Sequence, residues 1–281
     1  MSAPAQTTFL LALLLAALPA LAKERTEWHE TLTPHFRIMH QAQGMPDWLP
    51  GALEKLHANL RRDVKLFESW IVLQDRLDIF IYRDKASYLA APFKPPAWSE
   101  ANARYEAKAV ATYLHEDRYK TMSLIAHECA HLALHGYWAS YASAPPTWLD
   151  EGFAELLRGS ATSQSDPRWT KSFSPVFKVR WFVGSSPKDA PSDKVAAWYA
   201  QAYSMTAFLY RRHSSVRFKK FCASLREGEP LENALQSAYG YGSLEEFESA
   251  WASWAKRKRG LGFGNKVRPS AVKPAGVPPT P

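Results

Sequence analysis

Apolar residues first recur at every second position: Phe36-Arg37-Ile38-Met39, within Glu30 to His40, predicts a strand. The period then lengthens. Leu53, Leu56, Leu60, Val64 and Phe67 recur at helical spacing between Pro50 and Trp70, with Lys and Arg between them, and predict an amphipathic helix packed on a core. Leu77, Ile79 and Ile81 restore the two-residue period from Arg76 to Arg83. A strand, helix, strand opening implies a small sheet covered by one helix. Pro92, Pro95 and Pro96 break the chain into a loop, after which Ala109-Val110-Ala111-Thr112-Tyr113, inside Glu106 to Leu114, predicts a further strand.

From there the pattern is helical. Asp117 as an N-cap and Gly136 as a stop bound a helix from about Arg118 to His135. Pro145-Pro146-Thr147 opens a second, with Thr147 and Asp150 as a capping pair and Gly159 at its end. Residues 160–192 are rich in Ser, Pro, Lys and Asp around one short element, Val176 to Phe182. A long helix follows from Asp193 to His213, then Phe218 to Arg226, Leu231 to Tyr239, and Ser243 to Ala255 with Leu244, Phe247, Trp251 and Trp254 on one stripe. The fold class is α+β, a small N-terminal mixed sheet followed by a mostly helical C-terminal half.

The first long helix carries His127-Glu128-Cys129-Ala130-His131. Helical residues four apart differ by about 40° of rotation and about 6 Å of rise, so both imidazoles can aim at one point. Glu128 lies at the edge of that face, near enough to hold an attacking water as general base without itself ligating a metal. A catalytic zinc takes three protein ligands and leaves one position open. Glu151, in Trp148-Leu149-Asp150-Glu151-Gly152-Phe153-Ala154-Glu155 on the next helix, can supply the third. Glu155, one turn on, faces the same way and is placed to accept the second N–H of a ligating histidine. His135 reads as a residue behind the site or on the surface, because a fourth protein ligand would close the metal to water. His29, His35 and His40 read as ordinary strand or surface histidines.

These two motifs resemble the gluzincin metallopeptidases, in which H-E-x-x-H is followed by a glutamate ligand on the next helix. The wording Trp-Leu-Asp-Glu-Gly-Phe-Ala is similar to the aminopeptidase branch and its small bacterial peptidase MA-like relatives, over roughly residues 28 to 255. The resemblance implies a zincin-like fold and a zinc ion held by His127, His131 and Glu151. It gives Glu128 as the base, Glu155 as the residue that orients a histidine, and a peptide or protein as substrate. It also implies a tyrosine that stabilises the oxyanion from the following long helix, at Tyr199, with Tyr203 as the alternative. In that family an edge strand before the metal helix pairs with the extended substrate, and residues 109–113 occupy the matching place. The glycine-rich strand motif with which aminopeptidases hold a free amine has no match here. The rival reading is a catalytically silent zincin-fold binding or assembly factor of the cell envelope.

Composition changes this picture in three ways. The run Thr7 to Leu18, then Pro19 and Ala20-Leu21-Ala22, reads as a signal peptide over residues 1–22, hence export to the periplasm or outside the cell and no stable membrane insertion after cleavage. Met1 to Phe9 carries no Lys or Arg, so an uncleaved anchor is the alternative, although Phe9 to Leu18 is short for a span. The formal charge of +8 would suggest a nucleic-acid partner, yet Lys256, Arg257, Lys258, Arg259, Lys266, Arg268 and Lys273 supply seven of those positives after Ala255. The basicity belongs to a Pro/Gly-rich tail, residues 259–281, expected to be disordered beyond a peptidase domain at 23–258, and no nucleic-acid partner is expected. Cys129 and Cys222 are the two cysteines. Cys129 points away from the histidine face and reads as a buried thiol, with a Cys129–Cys222 disulfide as the alternative in an oxidising compartment.

Overall fold

The computed structural model describes residues 27–41, 45–63, 76–139, 141, 144–161 and 175–258. The expected signal peptide, the basic tail, Val64 and Phe67 of the first helical stripe, and residues 162–174 lie outside the described residues.

Two-residue periodicity builds one sheet. The strand expected between Glu30 and His40 is a hairpin, β1 (His29–Leu32) and β2 (Phe36–His40). Thr33-Pro34-His35 turns the chain, and the Thr33 hydroxyl accepts from the Phe36 N–H at 3.0 Å. Helix α1 (Trp48–Asp63) starts two residues before Pro50, which sits in the first turn, where its missing N–H is not needed. Then come β3 (Leu77–Tyr82), the short α2 (Lys85–Leu89), β4 (Ala101–Arg104) and β5 (Ala109–Tyr113). The strand order is β1-β2-β3-β5-β4, with β2, β3 and β5 parallel and the two outer strands antiparallel to their neighbours.

That order corrects one expectation. β5, expected at the edge of the sheet, lies inside it, and the edge is β4. The sequence Ala-Asn-Ala-Arg of β4 has no apolar period, so nothing set it apart from the proline-rich loop before it. Its partner holds it: Ala103 pairs with Val110, and the Thr112 hydroxyl donates to the Glu100 carbonyl at 2.8 Å.

Each face of the sheet buries its own cluster. Phe36, Ile38, Ile79 and Val110 join α1 and the helical half in the main core. Tyr82, Tyr88, Ala111 and Tyr113 form a smaller cluster on the opposite face, with Ala91 just after α2. Helix α3 (Arg118–Trp138) begins at its expected cap, where Asp117 accepts from the Tyr119 N–H at 2.8 Å. It runs past the expected stop at Gly136, because a helical glycine costs only about 1 kcal/mol and Tyr137 and Trp138 are buried beyond it.

The helical half is layered on α4 (Thr147–Ala161), which packs against α3 on one side and α6 (Val195–Ala207) on the other. The short α5 (Val179–Phe182) precedes α6, and α6 continues through a π turn, Phe208–Arg212. Helices α7 (Ser215–Arg226), α8 (Leu231–Tyr239) and α9 (Leu244–Lys258) complete the described chain. The α4/α6 contact is close enough to require glycine: a Cβ at Gly152 would lie 2.3 Å from the Ala202 carbonyl oxygen and 2.2 Å from Thr206 Oγ1. Among the described residues no helix is long and apolar enough to cross a membrane.

Candidate metal centre

Helix α3 sets His127 and His131 on one face, and α4 brings Glu151 against them. The Nε2 atoms of the two histidines are 3.0 Å apart, and Glu151 Oε2 lies 3.5 Å from the first and 3.6 Å from the second. The rings stand nearly perpendicular, at 83°. His131 is buried, while His127 and Glu151 each keep a little exposure, so the cluster opens to one side.

The far side of each ring faces a carboxylate. Glu155, expected to orient a histidine, is buried with Oε1 3.3 Å from His127 Nδ1, and Arg158 donates to that same oxygen at 3.1 Å and to Ser123 Oγ at 3.1 Å. Asp150 is the residue that sequence reading missed. Expected to cap α4 with Thr147, it instead places Oδ1 2.9 Å from His131 Nδ1 and Oδ2 3.1 Å from His135 Nε2. Helix α4 begins with Thr147 as its first helical residue and the Pro146 carbonyl accepts the Leu149 and Asp150 N–H groups, so Thr147 does not stand in the cap position that the pair required. His135 therefore stands behind the site, as expected, bound to the acid that holds His131. Two histidines four apart on one stripe, followed by an acid beside Glu151, were the signal for this arrangement.

These neighbours decide the electrostatics. Burial opposes a charge on His127, but Glu151 and then Glu155 outweigh it and hold the ring up to about 10. His131 is also raised, against burial, by Asp150. Burial works against the Asp150 charge too, yet His131 and His135 hold that carboxyl down to about 2. In the neutral form that a metal requires, each ring carries its proton on Nδ1, because each Nδ1 faces a carboxylate. Both Nε2 lone pairs then converge with Glu151 Oε2, which is buried and has no hydrogen-bond partner. Three acceptors meeting without a donor suit a cation, and two imidazoles with one carboxylate are a donor set that zinc accepts.

The remaining expected residues lie around this cluster. The Glu128 charge is felt by His127 and by three phenols, Tyr199, Tyr105 and Tyr88. Tyr199, half-buried on α6, is raised above the ordinary tyrosine value by burial and then by Glu151, Glu155 and Glu128. Tyr203, one turn further along α6, is half-buried against the main core. Cys129 and Cys222 are both buried free thiols, which leaves the disulfide alternative unused, and burial pushes both upward.

The sheet thus borders α3, and the histidines of α3 and the glutamate of α4 converge on one point. The chain belongs to the peptidase MA superfamily, whose family model matches residues 63–257. That span holds both metal-site helices and α6, and the superfamily is generally zinc-dependent. Among curated proteins, none matches this chain.

Proposed function

We propose that the protein is an exported zinc metallopeptidase. The observation that carries this reading is the convergence of His127 Nε2, His131 Nε2 and the unpartnered Glu151 Oε2 on one point. These three residues hold the zinc, and Asp150 and Glu155 keep the imidazoles in the tautomer that binds it. When bound, the metal supplies Lewis acidity and lowers the pKa of water toward about 7.

The chain's own groups do the rest. Glu128 takes a proton from the attacking water and later passes it to the leaving amine. Tyr199 donates a hydrogen bond to the oxyanion of the tetrahedral intermediate; its hydroxyl has no hydrogen-bond partner among the described residues, so the donor is unspent. The substrate is a peptide or protein whose backbone pairs with the open edge of β4, Ala101–Arg104, which gives affinity with little sequence demand. Residues 1–22 are removed on export and the mature chain begins at Lys23, with periplasmic or extracellular residence. The peptidase domain is 23–258 and the basic tail follows.

The test joins metal analysis to digestion of a broad peptide library by the purified mature protein. We expect about one zinc per chain, cleavage by the parent, and a Glu128→Gln variant that keeps its zinc and loses hydrolysis. Activity retained by Glu128→Gln sinks the base assignment. A zinc-loaded parent that cleaves nothing in the library points instead to a catalytically silent binding or assembly factor.

A further inference from the structure

The edge strand ends in a turn that returns a tyrosine to the flank of the site. Along β4, Ala103 faces α3 and the main core, whereas Arg104 faces the other way, with its guanidinium 4.7 Å over the Phe93 ring. The next residue, Tyr105, comes back to the α3 side, and its ring stacks on His135 at 4.1 Å between centroids. The turn is fixed at its far end: the Lys108 N–H donates to the Tyr105 carbonyl at 3.2 Å, and Lys108 takes a left-handed conformation, φ 47°, which L-residues seldom adopt.

A stacked ring could be packing alone, but the hydroxyl end argues otherwise. His135 is bonded to Asp150, which is bonded to His131, so the stack lies against the flank of the triad. Burial and then Asp150, Glu128 and Glu151 raise the Tyr105 phenol, although 45% of the residue is exposed. The stack on His135 covers one face of the ring, and the rest of the side chain stays open beside the site. Among the described residues that hydroxyl has no hydrogen-bond partner. Tyr105 is the residue that directly follows β4, so its side chain stands at the end of the edge on which a peptide would pair.

We propose that Tyr105 is a substrate-contacting residue, whose hydroxyl donates a hydrogen bond to a backbone carbonyl of a peptide lying along β4, from the sheet side of the site. The stack on His135 holds the ring, and the hydroxyl makes the contact. Tyr199 approaches from α6, so the scissile region of the substrate is held between two phenols. This inference rests on the peptidase reading of the same site.

The test uses the full chain, zinc-loaded, with Tyr105→Phe as the main variant, because phenylalanine keeps the stack and removes only the hydroxyl. Hydrolysis is followed on an internally quenched pool of random octapeptides. Binding is followed by anisotropy of the same pool, fluorescein-labelled, on the inactive Glu128→Gln protein with and without Tyr105→Phe. We expect Tyr105→Phe to weaken pool binding and kcat/KM by about tenfold, as loss of one hydrogen bond does, with zinc affinity and Tm unchanged. Values within twofold of the parent in both arms overturn the contact. A loss of zinc affinity without a loss of peptide binding also overturns it, since Tyr105 would then act through His135. If the parent cleaves nothing, the peptidase reading fails by itself and the anisotropy arm still decides Tyr105. No pool binding with Tyr105 intact overturns the contact.

Discussion

Asp150 holds two histidines with one carboxylate, and this division of labour explains why the residue beside the proposed metal ligand Glu151 is itself acidic. A neutral partner could accept the same hydrogen bond, but it would leave the His131 ring less electron-rich toward a metal. Asp150→Asn is therefore expected to keep the fold and to weaken zinc binding by about 10- to 100-fold, measured by competition with a chromophoric chelator. Unchanged affinity would mean that Asp150 merely fills space between α3 and α4. On the other ring, Glu155 shares Oε1 with His127 and Arg158, so its charge is tied on both sides.

At the scale of elements, the site depends on how closely two helices approach. Glu151 and Gly152 are neighbours on α4. The first reaches toward the histidines and the second removes the Cβ that would strike the Ala202 carbonyl on α6. Backbone cannot give way as a flexible side chain can. Gly152→Ala is expected to push α4 from α6, at a cost of about 1–3 kcal/mol in urea unfolding, and to weaken zinc binding by moving Glu151. An alanine variant with parental stability and metal affinity would show that the helices can part without cost. Tyr199 lies on the same helix α6, so the contact at Gly152 bears on both the proposed metal ligand Glu151 and the phenol.

For the whole molecule, α6 is the hub. Its buried Gln201 side chain accepts from the Val176 and Phe177 N–H groups and donates to the Phe177 carbonyl. Trp198 Nε1 donates to Ser185 Oγ at 2.9 Å, and Trp251 Nε1, from α9, donates to Ser204 Oγ at 3.1 Å. Val176 to Ser185 and helix α9 are thus fastened to the helix that carries Tyr199, while the sheet is tied to the same site through α3. A metal held by His127, His131 and Glu151 would join α3 to α4, so its binding energy would become folding energy. Chelation followed by dialysis is expected to lower Tm by about 10 °C, and zinc at about 1,000 times its Kd to restore it. A Tm indifferent to zinc would mean that the three ligands do not close on the ion in the folded protein.

Local chemistry was legible in the sequence wherever one element carried it. The i, i+4 histidines, the glutamate beside the first and the Asp117 cap follow from helical geometry within α3, and the α+β class follows from the change of period. Glu151 and Glu155 were readable as a second spaced pair on the next helix. What the sequence left open depended on contacts between elements that no local period records. β4 is a strand only because β5 pairs with it, and that pairing moved the free edge from residues 109–113 to 101–104. Asp150 reads as a cap until α3 supplies two imidazoles, and Tyr105 reads as a loop residue until the turn lays it on His135. The residue pattern determined which groups could perform the chemistry; the packing of α3, α4 and α6 with the sheet edge decided which of them face one another, because side chains distant in sequence meet only where buried surfaces close.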